Sequence, residues 1–180
     1  YFRGATFNSL AFFVFAKFDS EANFWYAKFD SEANFWYAKF GSADFRYTEF
    51  HSDAIFKEAQ FHSTTDFHYA QFHGPADFVD AIFNSHTNFE STIFDSLAYF
   101  RGATFNSDAQ FGFAKFYSRV DFRDAIFNNN AIAIFPRATI RDSIFIGAPN
   151  SFQRFDFKRA ILDSNAKIIL CEPVDLKIQL

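Results

Sequence analysis

Phenylalanine recurs along most of the chain at intervals that alternate between five and six residues. A small side chain, usually alanine, stands two residues before each of these phenylalanines, and polar residues fill most of the positions between them. The hydrophobic period is therefore eleven residues and consists of two unequal Ala-x-Phe units. One residue is missing from a six-residue unit between Phe40 and Phe45. The regular phenylalanines occupy positions 2, 7, 13, 18, 24, 29, 35, 40, 45, 50, 56, 61, 67, 72, 78, 83, 89, 94, 100, 105, 111, 116, 122 and 127.

An eleven-residue period is also typical of right-handed coiled coils, but this pattern excludes a helix. Successive residues on a helix rotate by about 100°, so phenylalanines five residues apart would lie about 140° apart. Such residues could not form one hydrophobic seam. Phe, Ser, Asn and Thr are also weaker helix formers than Ala and Leu.

The pattern instead predicts a β-solenoid in which each unit forms one side of a coil. Phenylalanine points inward on each side, the preceding alanine turns inward near a corner, and the other residues face water. Units of equal length must stack on each other, and four sides achieve this with 22 residues per coil. Three sides would place five-residue units over six-residue units. We therefore predict an all-β, quadrilateral β-helix with coils about 4.8 Å apart, the usual spacing of paired strands.

These units resemble the repeats of pentapeptide-repeat proteins in their Phe-centred variety. The resemblance is clearest in Ala22-Asn23-Phe24-Trp25-Tyr26-Ala27-Lys28-Phe29 and in Ala76-Asp77-Phe78-Val79-Asp80-Ala81-Ile82-Phe83. It extends from Phe2 to Phe127 and implies a right-handed coil. It leaves the function open, because one fold can host several unlike roles.

We divide the chain into three parts. Residues 1–130 are expected to form the regular solenoid, and residues 131–170 to continue it as irregular coils. In the second part isoleucine enters the core, at units such as Ser143-Ile144-Phe145, and a break is expected at residues 147–150. Residues 171–180 are expected to form a C-terminal cap or a linker. The printed chain begins at Tyr1 inside a repeat, so we expect further residues before it in the complete protein.

The composition argues against several classes of protein. The formal net charge is −4, which gives no strong attraction to nucleic acid or to a membrane surface. No apolar run is long enough to span a membrane. The single cysteine, Cys171, excludes an internal disulfide and fits a reducing compartment. We therefore expect a cytoplasmic protein with no direct nucleic-acid or membrane partner.

One outward column contains two histidines on adjacent coils. Its members are Asp30, His51, His73 and Asp95, and the two histidines would be close enough to share a divalent metal ion. The flanking members of the column, an asparagine and a tyrosine, are poor ligands. We therefore predict a solvated polar column with no metal and no cofactor. The alternative is a metal site formed by these four residues. Two serine columns also occur, but no histidine and carboxylate pair recurs within their reach, so we predict no catalytic residue and no enzyme.

Aromatic side chains are the most informative residues at outward positions. On one side of the solenoid, consecutive coils near the N-terminus present an apolar patch. A contiguous exposed patch of this kind usually marks an interface. The candidate partner-binding residues are Phe12, Val14, Phe15, Trp25, Trp36 and Tyr37, of which all but Trp25 form the patch.

We predict a non-enzymatic protein-binding or scaffold module that uses this patch to bind a protein partner. One alternative is a DNA-mimicking binder of type II topoisomerases, a role that the family resemblance implies. Residues 1–127 carry 16 acidic and 10 basic side chains, and the bases interrupt every face, which disfavours mimicry. The other alternative is a homo-oligomer joined through the solenoid end or the aromatic patch, since an open end exposes unpaired strand edges.

Overall fold

The computed structural model describes residues 1–147 and 154–171. Over these residues it consists of short parallel strands joined by turns, with no helix. Strands pair with those one coil earlier and one coil later, so that Gln71 pairs with Ile93 and Ala76 with Ala98, 22 residues apart. The predicted solenoid with 22 residues per coil is therefore confirmed.

Each coil has four faces, which we number in chain order. Face 1 consists of Thr6–Phe7, Lys28–Phe29, Glu49–Phe50, Gln71–Phe72, Ile93–Phe94, Lys115–Phe116, Thr139–Ile140 and Ile161–Leu162. Face 2 consists of Ala11–Phe12, Ala33–Asn34, Ala54–Ile55, Ala76–Asp77, Ala98–Tyr99, Val120–Phe122, Ile144–Ile146 and Ile168–Leu170.

Faces 3 and 4 are joined into one 11-stranded sheet. The strands Lys17–Asn23 and Lys39–Asp44 run around the corner between the two faces and belong to both. Face 3 continues with Gln60–Phe61, Ile82–Phe83, Thr104–Phe105 and Ile126–Phe127. Face 4 continues with Thr65–Asp66, Thr87–Asn88, Ala109–Gln110, Ala133–Ile134 and Phe155–Asp156.

The core consists of four columns of stacked phenylalanine rings, one from each face. In the column of face 4, the ring of Phe67 lies 4.9 Å from those of Phe45 and Phe89, with the planes within 4° of parallel. Rings of different columns meet edge to face, as Phe45 and Phe56 do at 5.2 Å and 83°. Both arrangements are favourable for aromatic pairs. The ring spacing agrees with the predicted coil spacing and shows that side chains and backbone share one repeat.

Alanine fills the inward position near each corner because a larger side chain would meet the phenylalanine stack. Threonine replaces alanine at a few positions, and its buried hydroxyl group still makes a hydrogen bond. The hydroxyl of Thr48 donates to the carbonyl oxygen of Phe24 at 2.9 Å, and that of Thr92 to the carbonyl oxygen of Phe67 at 2.8 Å. These buried hydroxyls therefore carry no desolvation penalty from an unmade hydrogen bond.

The missing residue after Phe40 is absorbed at the corner between faces 3 and 4. Here the pairing register shifts by one between Phe18 and Glu21, so Phe18 pairs with Phe40 while Ala22 pairs with Ala43. Gly41 lies at this irregularity. A Cβ atom at Gly41 would stand 2.8 Å from the carbonyl oxygen of Asp19, a distance that only glycine permits without movement of the backbone.

After Phe127 two extra residues enter the coil, and paired positions become 24 residues apart, as for Ala109 and Ala133. The phenylalanine column of face 4 continues past the insertion, because the ring of Phe135 stacks on that of Phe111 at 4.7 Å. Isoleucine enters the core as predicted, because Ile140, Ile144 and Ile146 are fully buried.

In the unit Ser143-Ile144-Phe145, Ile144 occupies the core and Phe145 does not. Val120–Phe122 pairs with Ile144–Ile146, and the two isoleucines that flank Phe145 face the core. Because side chains alternate along a strand, Phe145 points outward, where the guanidinium groups of Arg119 and Arg123 lie 5.5 and 5.7 Å from its ring. The expected break falls mainly on residues 148–150 and the expected cap on residues 172–180, which lie outside the described residues.

Candidate interaction surface

The four corners of the solenoid are of two kinds. Six-residue units form the wide corners between faces 1 and 2 and between faces 3 and 4. Five-residue units form the tight corners between faces 2 and 3 and between faces 4 and 1, which we call the 2/3 and 4/1 corners. Because the two kinds alternate around the coil, the tight corners lie diagonally opposite each other. The outward aromatic residues near the N-terminus cluster at these tight corners.

Each tight corner turns through a residue with positive φ. In the turn Phe24-Trp25-Tyr26-Ala27, Tyr26 has a φ of 57° and the amide of Ala27 donates to the carbonyl of Phe24 at 2.8 Å. Glycine is the usual residue for this conformation, yet it occurs at the equivalent position only in Gly4 and Gly102 within the described coils. The residues with side chains at this position are Phe15, Tyr26, Tyr37, Tyr47, Glu58, Tyr69, Asp80, Ser91, Phe113, Asp124, Arg137 and Arg159.

Asparagine and aspartate before the core phenylalanine hold these turns in place. The side-chain oxygen of Asn34 accepts a hydrogen bond from the amide of Trp36 at 3.1 Å, and that of Asp77 accepts from the amide of Val79 at 2.9 Å. This is the short-range contact that such side chains make in turns. The main contact of the polar residues at this position is therefore a hydrogen bond to the backbone of the corner.

The aromatic patch predicted from the sequence lies at the first 2/3 corners. Phe15 stacks on Tyr37 with ring centroids 5.2 Å apart and planes 10° apart, and meets Trp36 at 5.9 Å. Phe12 and Phe15 are 63% and 67% exposed, and Trp36 is 38% exposed. Val14 is half-buried in the same two coils. The structure therefore brings Phe15, Trp36 and Tyr37 together on adjacent coils and leaves Phe12 and Phe15 largely exposed.

A polar residue borders the patch on the next coil. The indole nitrogen of Trp36 donates to the Glu58 carboxylate at 3.5 Å. A hydrogen bond to the same carboxylate raises the pKa of Tyr37. Glu58 therefore interacts with both aromatic side chains at the edge of the patch.

Trp25 lies at the 4/1 corner, away from the other candidate residues. Its half-buried ring has the guanidinium group of Arg3 at 3.9 Å and that of Arg46 at 5.5 Å. Its indole nitrogen is buried and has no hydrogen-bond partner in the described part of the chain. The structure therefore separates Trp25 from the patch and gives it cationic neighbours.

The histidine column does not converge on one point. His51 and His73 meet edge to face at 5.2 Å, as their spacing predicts. His73 contacts the carboxylate of Asp95 at 2.6 Å, whereas His51 lies 3.2 Å from Glu49 and 3.9 Å from Asp30. Among the residues that the structure describes, no group of three or more His, Cys, Asp or Glu side chains is arranged to hold a metal ion.

Acidic side chains on the faces are interleaved with basic ones. Asp44 is almost fully buried and is held by two nitrogens of Arg46 at 2.8 and 2.9 Å. Asp121 is held in the same way by Arg123, whose guanidinium lowers the pKa of the carboxyl group against the opposing effect of burial. Carboxylates that are neutralised at this range cannot add to a continuous negative stripe.

A groove on face 4 was not predicted. It has a volume of about 480 Å³, and Asp44, Arg46, Thr64, Asp66 and His86 are among the residues that line it. Burial raises the pKa of Asp66. No periodic signal in the sequence marks the groove, because its walls are side chains of different types at two neighbouring corners.

Comparison with known proteins agrees with the repeat geometry. Residues 67–115 match the family model described as pentapeptide repeats (9 copies). Residues 67–115 consist of pentapeptide repeats. Neither the curated proteins nor the solved structures gave a significant match. Among the described residues, paired strands continue on both sides of the matched segment, from Thr6 to Leu170.

The described coils offer no element that could cross a membrane as a helix.

Proposed function

We propose that this protein is a non-enzymatic scaffold that binds a protein partner through the patch formed by Phe12, Val14, Phe15, Trp36 and Tyr37. The observation that supports the proposal is the high exposure of Phe12 and Phe15 beside Trp36 on adjacent coils. Exposed large aromatics contribute most of the binding energy in many protein interfaces when a partner buries them.

The solenoid would supply rigidity to this surface. The rings of Phe13 and Phe35, which belong to the same two coils, stack at 4.9 Å inside the core. The backbone amide of Phe15 donates to the carbonyl oxygen of Trp36 at 2.9 Å. Because these contacts fix the backbone beneath the patch, a partner would meet a preformed surface and little ordering entropy would be lost on binding. The single cysteine and the absence of strong charge fit a cytoplasmic scaffold.

Affinity capture with point variants tests the proposal. The full chain, Phe15→Ser and Trp36→Ala are immobilised and exposed to extract of the cells that make the protein, and the recovered proteins are quantified. Tyr117→Ala is the matched control, because Tyr117 is an exposed aromatic residue of a distant coil. We expect at least one protein to be recovered by the full chain and the control but lost, at least tenfold, from both patch variants.

The control measurements separate loss of binding from loss of fold. Circular dichroism should show the same spectrum and nearly the same melting temperature for all variants, because each altered side chain lies outside the core. Light scattering across a concentration series shows whether the partner is a second copy of the chain, in which case the patch variants dissociate the oligomer. The proposal fails if neither a captured protein nor an oligomer depends on Phe15 and Trp36.

The DNA-mimicking alternative receives no support from the described faces. Arg46, Arg101 and Arg123 stand among the carboxylates of faces 2 and 4 and bind them directly. A protein that imitates DNA needs a nearly continuous negative surface. We therefore do not propose a topoisomerase partner.

A further inference from the structure

A ladder of three tyrosines runs along the 4/1 corner. Tyr26 and Tyr47 stack with ring centroids 4.7 Å apart, and Tyr47 and Tyr69 with centroids 4.9 Å apart. All three occupy the positive-φ position of the turn on successive coils. The spacing of the rings is therefore the spacing of the coils.

The next coil has no aromatic side chain at the equivalent position. Ser91 occupies the equivalent position with a φ of 57°, and on the coil after it Phe113 resumes the aromatic series with a φ of 56°. Core rings on these coils, Phe67 to Phe89 and Phe89 to Phe111, are each separated by 4.9 Å. The positions of Tyr69 and Phe113 are therefore about 10 Å apart along the axis, twice the spacing of the stacked tyrosines, so one ring could complete the series between them.

The two aromatic side chains that border this gap are partly exposed, and a histidine lies against one of them. Tyr69 and Phe113 are 43% and 45% exposed. The imidazole of His68 stacks on Tyr69 at 4.2 Å and 14°, which shows that a planar group is accommodated against this ring. The guanidinium of Arg137, from the following coil, lies 5.4 Å from the ring of Phe113.

A carboxylate without a partner stands beside the gap. Glu90 precedes Ser91, and its Cγ atom lies 3.6 Å from the position that a Cβ atom of Gly112 would take, so the side chain extends toward the next coil. Glu90 makes no ion pair and no side-chain hydrogen bond within the described coils. An uncompensated negative charge next to two ring faces favours a ligand that is both planar and positively charged.

We propose that the gap at Ser91 is a binding site for a planar aromatic cation. The ligand inserts between Tyr69 and Phe113, displaces the half-buried imidazole of His68, and places its positive charge beside Glu90. Its ring then completes the ladder from Tyr26 to Phe113. The site lies at the corner diagonally opposite the aromatic patch and is independent of the proposed partner surface.

Titration with thioflavin T, a planar aromatic cation that fluoresces when it is immobilised, tests the site in the full chain. Ser91→Tyr fills the gap with the side chain that three neighbouring coils already carry at this φ. We expect it to weaken dye binding by about tenfold or more, because two ring contacts are lost. Glu90→Gln should weaken it by about two- to fivefold, as expected for one exposed charge pair. Ser91→Ala leaves the gap open and should leave the affinity unchanged.

The Ser91→Tyr variant distinguishes insertion from binding along the outside of the ladder. A dye lying along the exposed ring edges would bind a ladder of five continuous rings as tightly as the original, or more tightly. Unchanged or tighter binding to Ser91→Tyr would therefore overturn the proposal, and an unchanged affinity in Glu90→Gln would overturn the role of the charge. Light scattering of the same samples ensures that all variants are compared in the same state of assembly.

Discussion

Truncation of one central ring, Phe67→Ala, should remove a large share of the stability of the solenoid. Phe67 is fully buried, stacks on Phe45 and Phe89 at 4.9 Å, and meets Phe56 and Phe78 edge to face at 5.5 and 5.4 Å. Truncation of a buried phenylalanine to alanine costs about 3–5 kcal/mol. Phe67 also contacts Phe61 and Phe72 at 6.4 and 6.0 Å. Because six aromatic contacts are lost together and the stacked coils cannot close the cavity, we expect the upper end, about 4–5 kcal/mol.

The location of the two tryptophans allows this loss to be mapped along the axis. Trp25 and Trp36 both lie in coils that precede Phe67, so their fluorescence reports on the N-terminal coils alone. Far-ultraviolet circular dichroism reports on all coils. In a repeat protein each coil is stabilised by its neighbours, so a cavity at Phe67 should weaken the coupling between the two halves. Urea unfolding should then give two separate transitions where the full chain gives coincident ones.

Two variants calibrate the measurement. Phe67→Leu keeps most of the volume and should cost about 1–2 kcal/mol. His62→Ala changes an exposed side chain and should stay within about 0.5 kcal/mol of the full chain. The reasoning would be refuted if Phe67→Ala lost less than about 2 kcal/mol, or if the leucine and alanine variants were equally destabilised, since ring packing would then contribute little.

Three further substitutions test the corners and the charges. Gly41→Ala should cost about 1–3 kcal/mol in urea unfolding, because the new Cβ would stand 2.8 Å from a backbone oxygen of Asp19. Asp77→Asn should stabilise the protein at neutral pH, because the amide keeps the side-chain oxygen that accepts from Val79 and carries no charge to bury. Burial raises the pKa of Asp77, so its folded form loses stability as pH rises through that value; the gain should vanish in thermal melts below the ordinary aspartate pKa. Arg123→Ala should cost about 1–3 kcal/mol at neutral pH, because it leaves the Asp121 carboxylate buried and without its cation. Since Arg123 holds the pKa of Asp121 down, that cost should shrink in melts at acidic pH, and a pH-independent cost would contradict it.

The regular coils could be predicted from the sequence because one physical requirement governs them. A phenylalanine at five- and six-residue intervals can be buried only if units of equal length stack, and this requirement alone gives four faces and 22 residues per coil. The columns of outward residues follow from the same number. For this reason the contacts between Phe15 and Tyr37 and between His51 and His73 could be anticipated from the spacing of these residues along the chain.

The C-terminal coils could not be predicted as well because the core there accepts isoleucine. In the regular part, size separates inward phenylalanine from inward alanine and from outward residues. In Ser143-Ile144-Phe145-Ile146 three consecutive large apolar residues compete for two inward positions, and size no longer decides. Pairing with Val120–Phe122 places the isoleucines inside and Phe145 outside. The groove on face 4 was missed for a related reason, since it depends on the shapes of individual side chains and not on their period.

The residues at the tight corners differ in how well they suit the backbone conformation of the turn. A side chain with positive φ costs about 1–2 kcal/mol relative to glycine, and the chain accepts this at twelve corners while it uses glycine at Gly4 and Gly102. Stacking between neighbouring coils offsets the cost at the corners that carry Tyr26, Tyr47 and Tyr69. Stacking does not offset the cost at Ser91, where a small side chain interrupts the tyrosine series. Glycine would adopt the positive φ there at lower cost. Tyrosine at this position would continue the stack, whereas serine keeps open the space that the proposed ligand requires.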